Sequence, residues 1–241
     1  MTEPLFIHGA GAVLGDGPLQ GDALIRAVRD RAEFASDGDF LEGFDPKPYI
    51  QTVKGYLDDA GKYALAAASL AVDEARQSLT EQGARVGVAS ATRWGAPASG
   101  FRFCQQLAQK GLRFASPLVF PHSYSNTAGN LVAMEFRFGG PHMVYFGRGG
   151  ALEALRFAAA ELRKDDAETV LVVASEAATA PAIPDETRSL NGAVALRFST
   201  KEDGALGRFD LPTNDNGLPA FENGAVDELL GLTRELSRPL P

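Results

Sequence analysis

Cysteine is almost absent from this sequence of 241 residues, which has one, Cys104. A single thiol excludes a disulfide within the chain and suits a reducing compartment. The N-terminus, Met1-Thr2-Glu3-Pro4, lacks the basic segment that opens a secretory signal. These absences predict a cytoplasmic protein.

Histidine and long apolar runs are scarce as well. The three histidines, His8, His122 and His142, form no pair with the spacing of metal ligands, so the sequence predicts no metal and no cofactor. The longest apolar run, Ala64–Val72, is well short of the roughly 20 residues that a membrane span needs. We therefore expect no membrane association.

Positive charge is also in deficit. The chain has 23 Lys and Arg against 31 Asp and Glu, which gives a formal net charge of -8 and a pI near 5.0. A nucleic-acid partner requires clustered Lys and Arg at the phosphates. The composition therefore predicts no nucleic-acid partner.

What the chain does contain is an alternation of strand-like and helix-like apolar patterns. Strands are predicted at 4–8, 85–89, 142–146, 169–174, 192–198 and 205–211, with a hairpin joining the last two. Helices are predicted at 22–30, 63–79, 101–110, 126–138, 151–163 and 226–236. Residues 9–21 and 175–190 are predicted loops. The order predicts a layered α/β sheet.

The segment 116–155 carries the most specific pattern, SPLVFPHSYSNTAGNLVAMEFRFGGPHMVYFGRGGALEAL. Its landmarks are, in order, Ser116-Pro117, Asn126, Gly129, Gly140-Pro141, the apolar strand His142–Phe146 and a helix from about Ala151. The turn between that strand and that helix reads Gly147-Arg148-Gly149-Gly150.

This series resembles the N-terminal half of a β-ketoacyl synthase, and matching pieces extend the resemblance over roughly residues 4–200. In that family the strand delivers a cysteine nucleophile to the start of a buried helix. Counting from Pro141 puts that position at Gly149, whereas counting back from Leu152 puts it at Arg148. Both assignments stay open, and neither residue forms a thioester.

The resemblance implies a thiolase-like fold, with one half of the duplicated ketosynthase fold present and the C-terminal half missing. Residues 1–241 would form a single truncated domain with a short helical tail at 213–241. No segment matches the two histidines of active enzymes. The chain most resembles the short chain-length factor of aryl-polyene-type complexes in polyketide or fatty-acid assembly. Such a factor is non-catalytic and forms a heterodimer with an active β-ketoacyl synthase.

The same resemblance assigns roles to two segments. The subunit interface would be the strand formed by His142, Met143, Val144, Tyr145 and Phe146. The loop at 118–124 would cross that interface and line the acyl tunnel of the partner with Val119, Phe120, Ser123 and Tyr124. Acyl carrier proteins of this family are acidic and would be repelled by this acidic chain, so a carrier would act only through the partner.

Four features are open to other interpretations. Gly9, Gly11 and Gly15 give a weak dinucleotide-like string, but Asp16-Gly17-Pro18 interrupts the helix it needs, so we expect a glycine-rich turn. Cys104 is expected to pack on the apolar face of its helix. The Gly147–Gly150 turn would either cradle an anion or only pack. The helix at 151–163 is apolar nearly all round, and either the helix at 226–236 or a partner would cover it.

Two rival functions remain beside the chain-length factor. One is a homodimeric protein without catalysis that binds acyl groups or acts as a scaffold. The other is a decarboxylase or hydrolase that works without cysteine, using His122 or Ser123 as its reactive group.

Overall fold

A computed structural model describes residues 4–30, 34, 40–52, 55–178, 189–212 and 218–240. Their strands are β1 (Leu5–Leu14), β2 (Gly17–Gln20), β3 (Val86–Thr92), β4 (His142–Phe146), β5 (Thr169–Glu176), β6 (Gly192–Ser199), β7 (Gly207–Phe209) and β8 (Ser237–Arg238). The α-helices are α1 (Gly21–Asp30), α2 (Asp59–Val72), α3 (Arg76–Glu81), α4 (Pro97–Lys110), α5 (Thr127–Phe136), α6 (Gly150–Arg163) and α7 (Ala225–Leu236). Turns of 3₁₀ helix include Leu112–Phe114 and Phe120–Ser123.

The strands form one mixed sheet in the order β4-β3-β5-β6-β1-β7-β8, and β2 pairs with β1 outside this path. Both β4 and β5 run parallel to β3, whereas β6 is antiparallel to β5 and to β1. The centre of β5, Val170–Val173, is fully buried, which accounts for its continuous apolar run. The predicted strand β4 lies at one edge of this sheet.

Helices cover both faces of the sheet. One apolar core contains buried side chains of α2 and α5, and the other contains those of α1, α6 and α7. Helix α7 covers α6 within this chain, because it packs against α6 and also contacts β5 and β6. Val226, Leu229 and Leu230 of α7 are buried in this core. Within the predicted tail at 213–241, residues 225–236 therefore form a helix that packs into this core.

The predicted loop at 9–21 is wrong. Strand β1 continues to Leu14, and β2 turns back on it to form a hairpin. Helix α2 explains the glycines in this strand. A Cβ placed on Gly9 would lie 2.0 Å from the carbonyl oxygen of Ala71, and one placed on Gly11 would lie 2.3 Å from that of Ala67. The glycines therefore let an alanine-rich helix approach the sheet closely.

Two further predictions need correction. The strands β6 and β7 do not form a hairpin, because β1 lies between them and pairs with both. The predicted helix at 63–79 is divided into α2 and α3. The division falls at Asp73, whose φ of 25° is incompatible with a continuous helix. Of the predicted loop at 175–190, residues 179–188 lie outside the described residues.

Within the described ranges, no helix combines the length and apolarity that a membrane crossing requires.

Candidate functional site

The candidate site lies where the parallel strands β3, β4 and β5 end. Ligand sites of α/β sheets form at this carboxyl edge, because loops from neighbouring strands meet there. Thr92 ends β3, Phe146 ends β4 and Glu176 ends β5. The backbone N–H of Gly147 donates to the carbonyl oxygen of Thr92 at 2.9 Å, so the turn after β4 is fixed against the end of β3.

The turn from β4 into α6 has a backbone that favours glycine. Gly147 has a φ of 108° and Gly149 a φ of 75°. Gly149 is the residue immediately before α6, and both it and Arg148 are exposed. A Cβ placed on Gly149 would meet no described atom within 4 Å. The position at the start of the buried helix is thus open space, and Gly149 contributes no side chain to it.

A buried carboxylate occupies the N-terminus of α6. The two carboxylate oxygens of Glu228 accept hydrogen bonds from the backbone N–H groups of Ala151 and Leu152, each at 3.2 Å. The first N–H groups of a helix lack partners within the helix and attract negative charge. Glu228 of α7 therefore occupies the N–H groups of Ala151 and Leu152, so these two groups are not available to an anion at the Gly147–Gly150 turn.

A second buried carboxylate holds the loop after β3. One oxygen of Glu176 accepts from the backbone N–H of Arg93 at 2.6 Å and from that of Ala225 at 2.9 Å. Its other oxygen accepts from the backbone N–H of Trp94 and the hydroxyl of Thr92, both at 3.3 Å. Glu176 therefore joins the end of β5, the loop after β3 and the N-terminus of α7.

Burial raises the pKa of both carboxyl groups, Glu176 and Glu228, although the hydrogen bonds from backbone amides oppose that rise. The folded protein therefore binds these protons more tightly than the unfolded chain. The stability they contribute is complete below the ordinary glutamate pKa, and it declines as the pH rises through the raised values. Sequence reasoning missed both residues, since an isolated glutamate in an apolar segment gives no local signal of its partner.

The histidines do not assemble a base with a nucleophile. Ser123 donates to the carbonyl oxygen of Phe120 at 2.7 Å, and no hydrogen bond joins it to His122. His8 lies 2.9 Å from the hydroxyl of Ser199 through Nε2, but the same nitrogen lies 2.7 Å from the carbonyl oxygen of Lys201. A carbonyl only accepts, so this nitrogen carries a proton and is not a base for Ser199. His122 and Ser123 therefore do not form the hydrogen-bonded pair of base and nucleophile that the rival hydrolase would use.

The prediction that Cys104 is packed is wrong, because this thiol is exposed. In the 14 residues of α4 the one buried residue is Ser99. Its neighbour on the helix, Phe101, is 44% exposed. The described residues of this chain therefore leave the apolar side of α4 largely uncovered.

A buried aspartate fastens the first turn of α4 to the body. Asp58 accepts from the backbone N–H of Ser99 at 3.2 Å and from its hydroxyl at 2.6 Å, and it also caps α2 through the N–H of Ala60. The Tyr56 hydroxyl lies 2.8 Å from that of Ser99. The rings of Tyr56 and His122 pack edge to face, with their centroids 5.3 Å apart. This cluster positions α4 together with the loop at 118–124.

Exposed apolar side chains concentrate beside this cluster. Ten large hydrophobic residues are exposed in the described part of the chain, and nine of them lie between 101 and 146. We call the following seven the apolar face: Phe101, Leu112, Phe114, Leu118, Phe120, Tyr124 and Phe146. Phe120 links its parts, with ring centroids 5.0 Å from Phe103 of α4 and 5.1 Å from Tyr124. Phe146 lies near the residue after Tyr124, since a Cβ placed on Gly95 would be 3.5 Å from the Phe146 ring and 3.1 Å from Ser125.

The structure separates the residues predicted to line a partner's tunnel. Phe120 and Tyr124 are 43% and 49% exposed, but Val119 is buried at 3% and faces the interior of its own chain. The prediction that Val119 lines a partner's tunnel is therefore wrong, because this side chain is buried in its own chain. Ser123 is half-buried, and Leu118, which that set omitted, is exposed.

The strand predicted at an interface is an uncovered sheet edge. His142, Met143 and Phe146 are exposed, whereas Tyr145 packs partly against the core beside α6. No group of three or more candidate metal ligands occurs among the residues whose positions are described.

Three kinds of comparison place the chain among known proteins. The family model for the β-ketoacyl synthase N-terminal domain matches residues 32–202. No curated protein sequence matches. Solved structures match with 18% identity, a level that shows the fold alone.

Three of these structures are ketosynthase assemblies. The first is AntDE:AntF, a type II polyketide synthase acyl-carrier protein with its ketosynthase bound to the hexaketide (TM-score 0.68, 87% of this chain and 68% of that chain). The second is the ishigamide ketosynthase/chain length factor (TM-score 0.61, 86% of this chain and 65% of that chain). The third is the Xenorhabdus doucetiae ketosynthase ApeO in complex with its chain length factor ApeC (TM-score 0.57, 96% of this chain and 92% of that chain). The chain thus spans about two thirds of the first two matched chains, and the predicted thiolase-like α/β fold is confirmed.

Replacing Glu228 tests the carboxylate at the start of α6. Glu228→Ala leaves the buried N–H of Ala151 and the half-buried N–H of Leu152 without their acceptor, so we expect the free energy of unfolding to fall by about 2–4 kcal/mol. Glu228→Gln keeps one acceptor and should lose about half as much, and its stability should depend less on pH. Urea unfolding from pH 4 to 8 measures both. Glu235→Ala, on the exposed side of α7, is the control and should stay within about 0.5 kcal/mol. A Glu228→Ala protein as stable as this control would contradict the assigned role.

Proposed function

Because the chain belongs to the β-ketoacyl synthase N-terminal domain family, we propose that it is a non-catalytic chain-length factor. In this proposal it pairs with an active β-ketoacyl synthase in the cytoplasm and shapes the acyl tunnel of that partner. The setting would be polyketide or fatty-acid biosynthesis of the aryl-polyene type. A carrier protein would deliver acyl groups to the partner.

One observation carries the proposal, namely the open turn at the start of α6. The family places its cysteine nucleophile where the strand delivers the chain to the buried helix, and the residue before α6 is Gly149. Nucleophilic catalysis needs an activated side chain, and glycine has none. The neighbouring Arg148 offers a guanidinium group, which is not among the side chains that form covalent acyl intermediates.

The uncovered surface supports pairing. An exposed sheet edge carries free N–H and C=O groups that invite another strand, and β4 is such an edge. The apolar face continues from this edge across α4 and the loop at 118–124. Contiguous exposed apolar surface of this kind marks interaction sites in soluble proteins. These features support an interface at β4, as the resemblance implies.

Two of the matched structures are chain-length factor assemblies, and they support a ketosynthase as the partner of this chain. In both, the chain length factor is found with a ketosynthase. The ApeO–ApeC match also covers 92% of the matched chain, so the short length of this chain has a parallel in that assembly. These matches support the heterodimer over the homodimeric scaffold.

Acyl transfer tests the function directly. The chain should be co-expressed with a complete ketosynthase and supplied with acyl carrier substrates. We expect acyl groups on the partner's nucleophile and none on this chain, as measured by intact-protein mass spectrometry. Because Cys104 is exposed, Cys104→Ser is included so that chemical labelling of that thiol is not mistaken for catalysis. An acyl adduct on the Cys104→Ser chain, or product formed by this chain alone, would overturn the proposal.

A proline in β4 tests the interface. The N–H of Gly147 bonds to β3, and strand residues alternate in direction, so the N–H of Tyr145 also points to β3 and that of Val144 points outward. Val144→Pro therefore removes an outward donor without breaking the sheet of its own chain. We expect it to abolish co-purification with the ketosynthase, whereas Val144→Ala keeps the N–H and the complex. Normal co-purification of a folded Val144→Pro chain would place the interface elsewhere.

The tunnel role makes a separate prediction for Phe120 and Tyr124. Their replacement with alanine removes large side chains, and an added cavity at a tunnel end admits longer acyl chains. We expect the reconstituted complex to make longer or more varied products while assembly is retained. Mass spectrometry of the products measures the change, and Met134→Ala, an exposed residue of α5, is the control. An unchanged product distribution would show that the two aromatic residues only pack at the interface.

A further inference from the structure

Charge is distributed very unevenly along this chain. Residues 93–152 contain six Lys and Arg and one acidic residue, so this segment has a net charge of +5. The rest of the chain holds the other 17 basic and 30 acidic residues, a net charge of −13. The segment with the excess positive charge is the one that forms α4, the loop at 118–124 and β4.

The one acidic residue of this segment is not on the surface. Glu135 is 7% exposed, accepts from the backbone N–H of Gln51 at 2.6 Å and lies 3.6 Å from a guanidinium nitrogen of Arg76. The segment 93–152 therefore exposes no carboxylate.

The cations of this segment stand beside the apolar face. Lys110 precedes the exposed Leu112, Arg113 lies between Leu112 and Phe114, and Arg148 follows Phe146 by two residues. All three are exposed, and none forms an ion pair with a described residue. Many cations elsewhere do pair with carboxylates within 4 Å, namely Lys47, Lys62, Arg85, Arg156, Lys164, Arg208 and Arg234. Among the described residues, the segment that forms the apolar face thus exposes cations and no carboxylate of its own.

From this arrangement we propose that the apolar face is built for a partner subunit whose matching apolar surface has a rim of Asp and Glu, and not for a second copy of this chain. The inference rests on the proposed function and specifies the partner's chemistry. Two copies joined through this face would bring the like charges of their rims close together, which disfavours the contact. An acidic rim would instead pair with Lys110, Arg113 and Arg148 and guide the encounter.

The apolar component favours a condensing subunit over a small acidic carrier. The exposed side chains of the apolar face adjoin the free edge of β4, so the occupant must offer a broad apolar surface and a strand of its own. Charge alone would suffice for a transient carrier contact. The net charge of -8 is a sum over the whole chain, and the segment 93–152, with its net positive charge, would not repel an acidic carrier.

The test compares two triple charge reversals. Lys110→Glu/Arg113→Glu/Arg148→Glu reverses the rim, and Lys164→Glu/Lys201→Glu/Arg208→Glu makes the same change of charge at exposed positions outside the segment. The probe is the ketosynthase subunit used for co-purification, and association is followed by stopped-flow fluorescence at 20 and 500 mM NaCl. We expect salt to slow the wild-type and control chains at least about tenfold. The rim variant should associate at least about tenfold more slowly at low salt and lose this salt dependence.

Self-association is measured on the chain alone by sedimentation velocity. We expect a monomer at low salt, with any dimer increasing as salt screens the like charges. A tight wild-type dimer at low salt would overturn the inference in favour of a second copy. Equal association rates for the two triple variants would also overturn it, as would a rim variant that loses only carrier binding. Absence of any complex with wild type would instead contradict the proposed function, so the two failures are distinguishable.

Discussion

The architecture of the site depends on buried carboxylates that accept hydrogen bonds from helix N-termini. Glu176 holds the first residue of α7, and Glu228 of α7 holds the first turn of α6. Each contact satisfies N–H groups that would otherwise be buried without a partner, and each places a charge where the helix dipole favours it. Removal of α7 would leave α6 without these acceptors and would uncover its apolar side. The site thus consists of interlocked pieces from β5, α6 and α7.

The side of the molecule that contains α6 and α7 differs from the side formed by α4, the loop at 118–124 and β4. On the inner side, the buried carboxylates of Glu176 and Glu228 accept from backbone N–H groups, and the apolar side chains of α6 and α7 pack against each other. On the outer side, α4, the loop at 118–124 and β4 present apolar groups and unpaired cations to the surroundings. Asp58 and Ser99 fix this outer layer in position. A surface that is rigidly held but incompletely satisfied is what a subunit of a larger assembly requires.

Sequence patterns predicted most elements because their signals are local. The strand at 142–146 has the predicted bounds, and the helices at 22–30, 151–163 and 226–236 are within one residue. The errors arise from contacts distant in sequence. Gly9 and Gly11 suggest a turn until α2 is placed against them, and β6 and β7 suggest a hairpin until β1 is placed between them. The amphipathic pattern around Cys104 predicts an apolar helix face, but it does not specify whether the surface that covers this face belongs to the same chain.

The hydrogen bonds of Glu228 also bear on how the chain folds during synthesis. The acceptor lies 77 residues after Ala151, so α6 leaves the ribosome well before α7. At about 5–20 residues per second, that delay is about 4–15 s. During this interval the first turn of α6 has neither its carboxylate acceptor nor the apolar side chains of α7 that cover it. The core on this face of the sheet is therefore completed only after α7 has been synthesised.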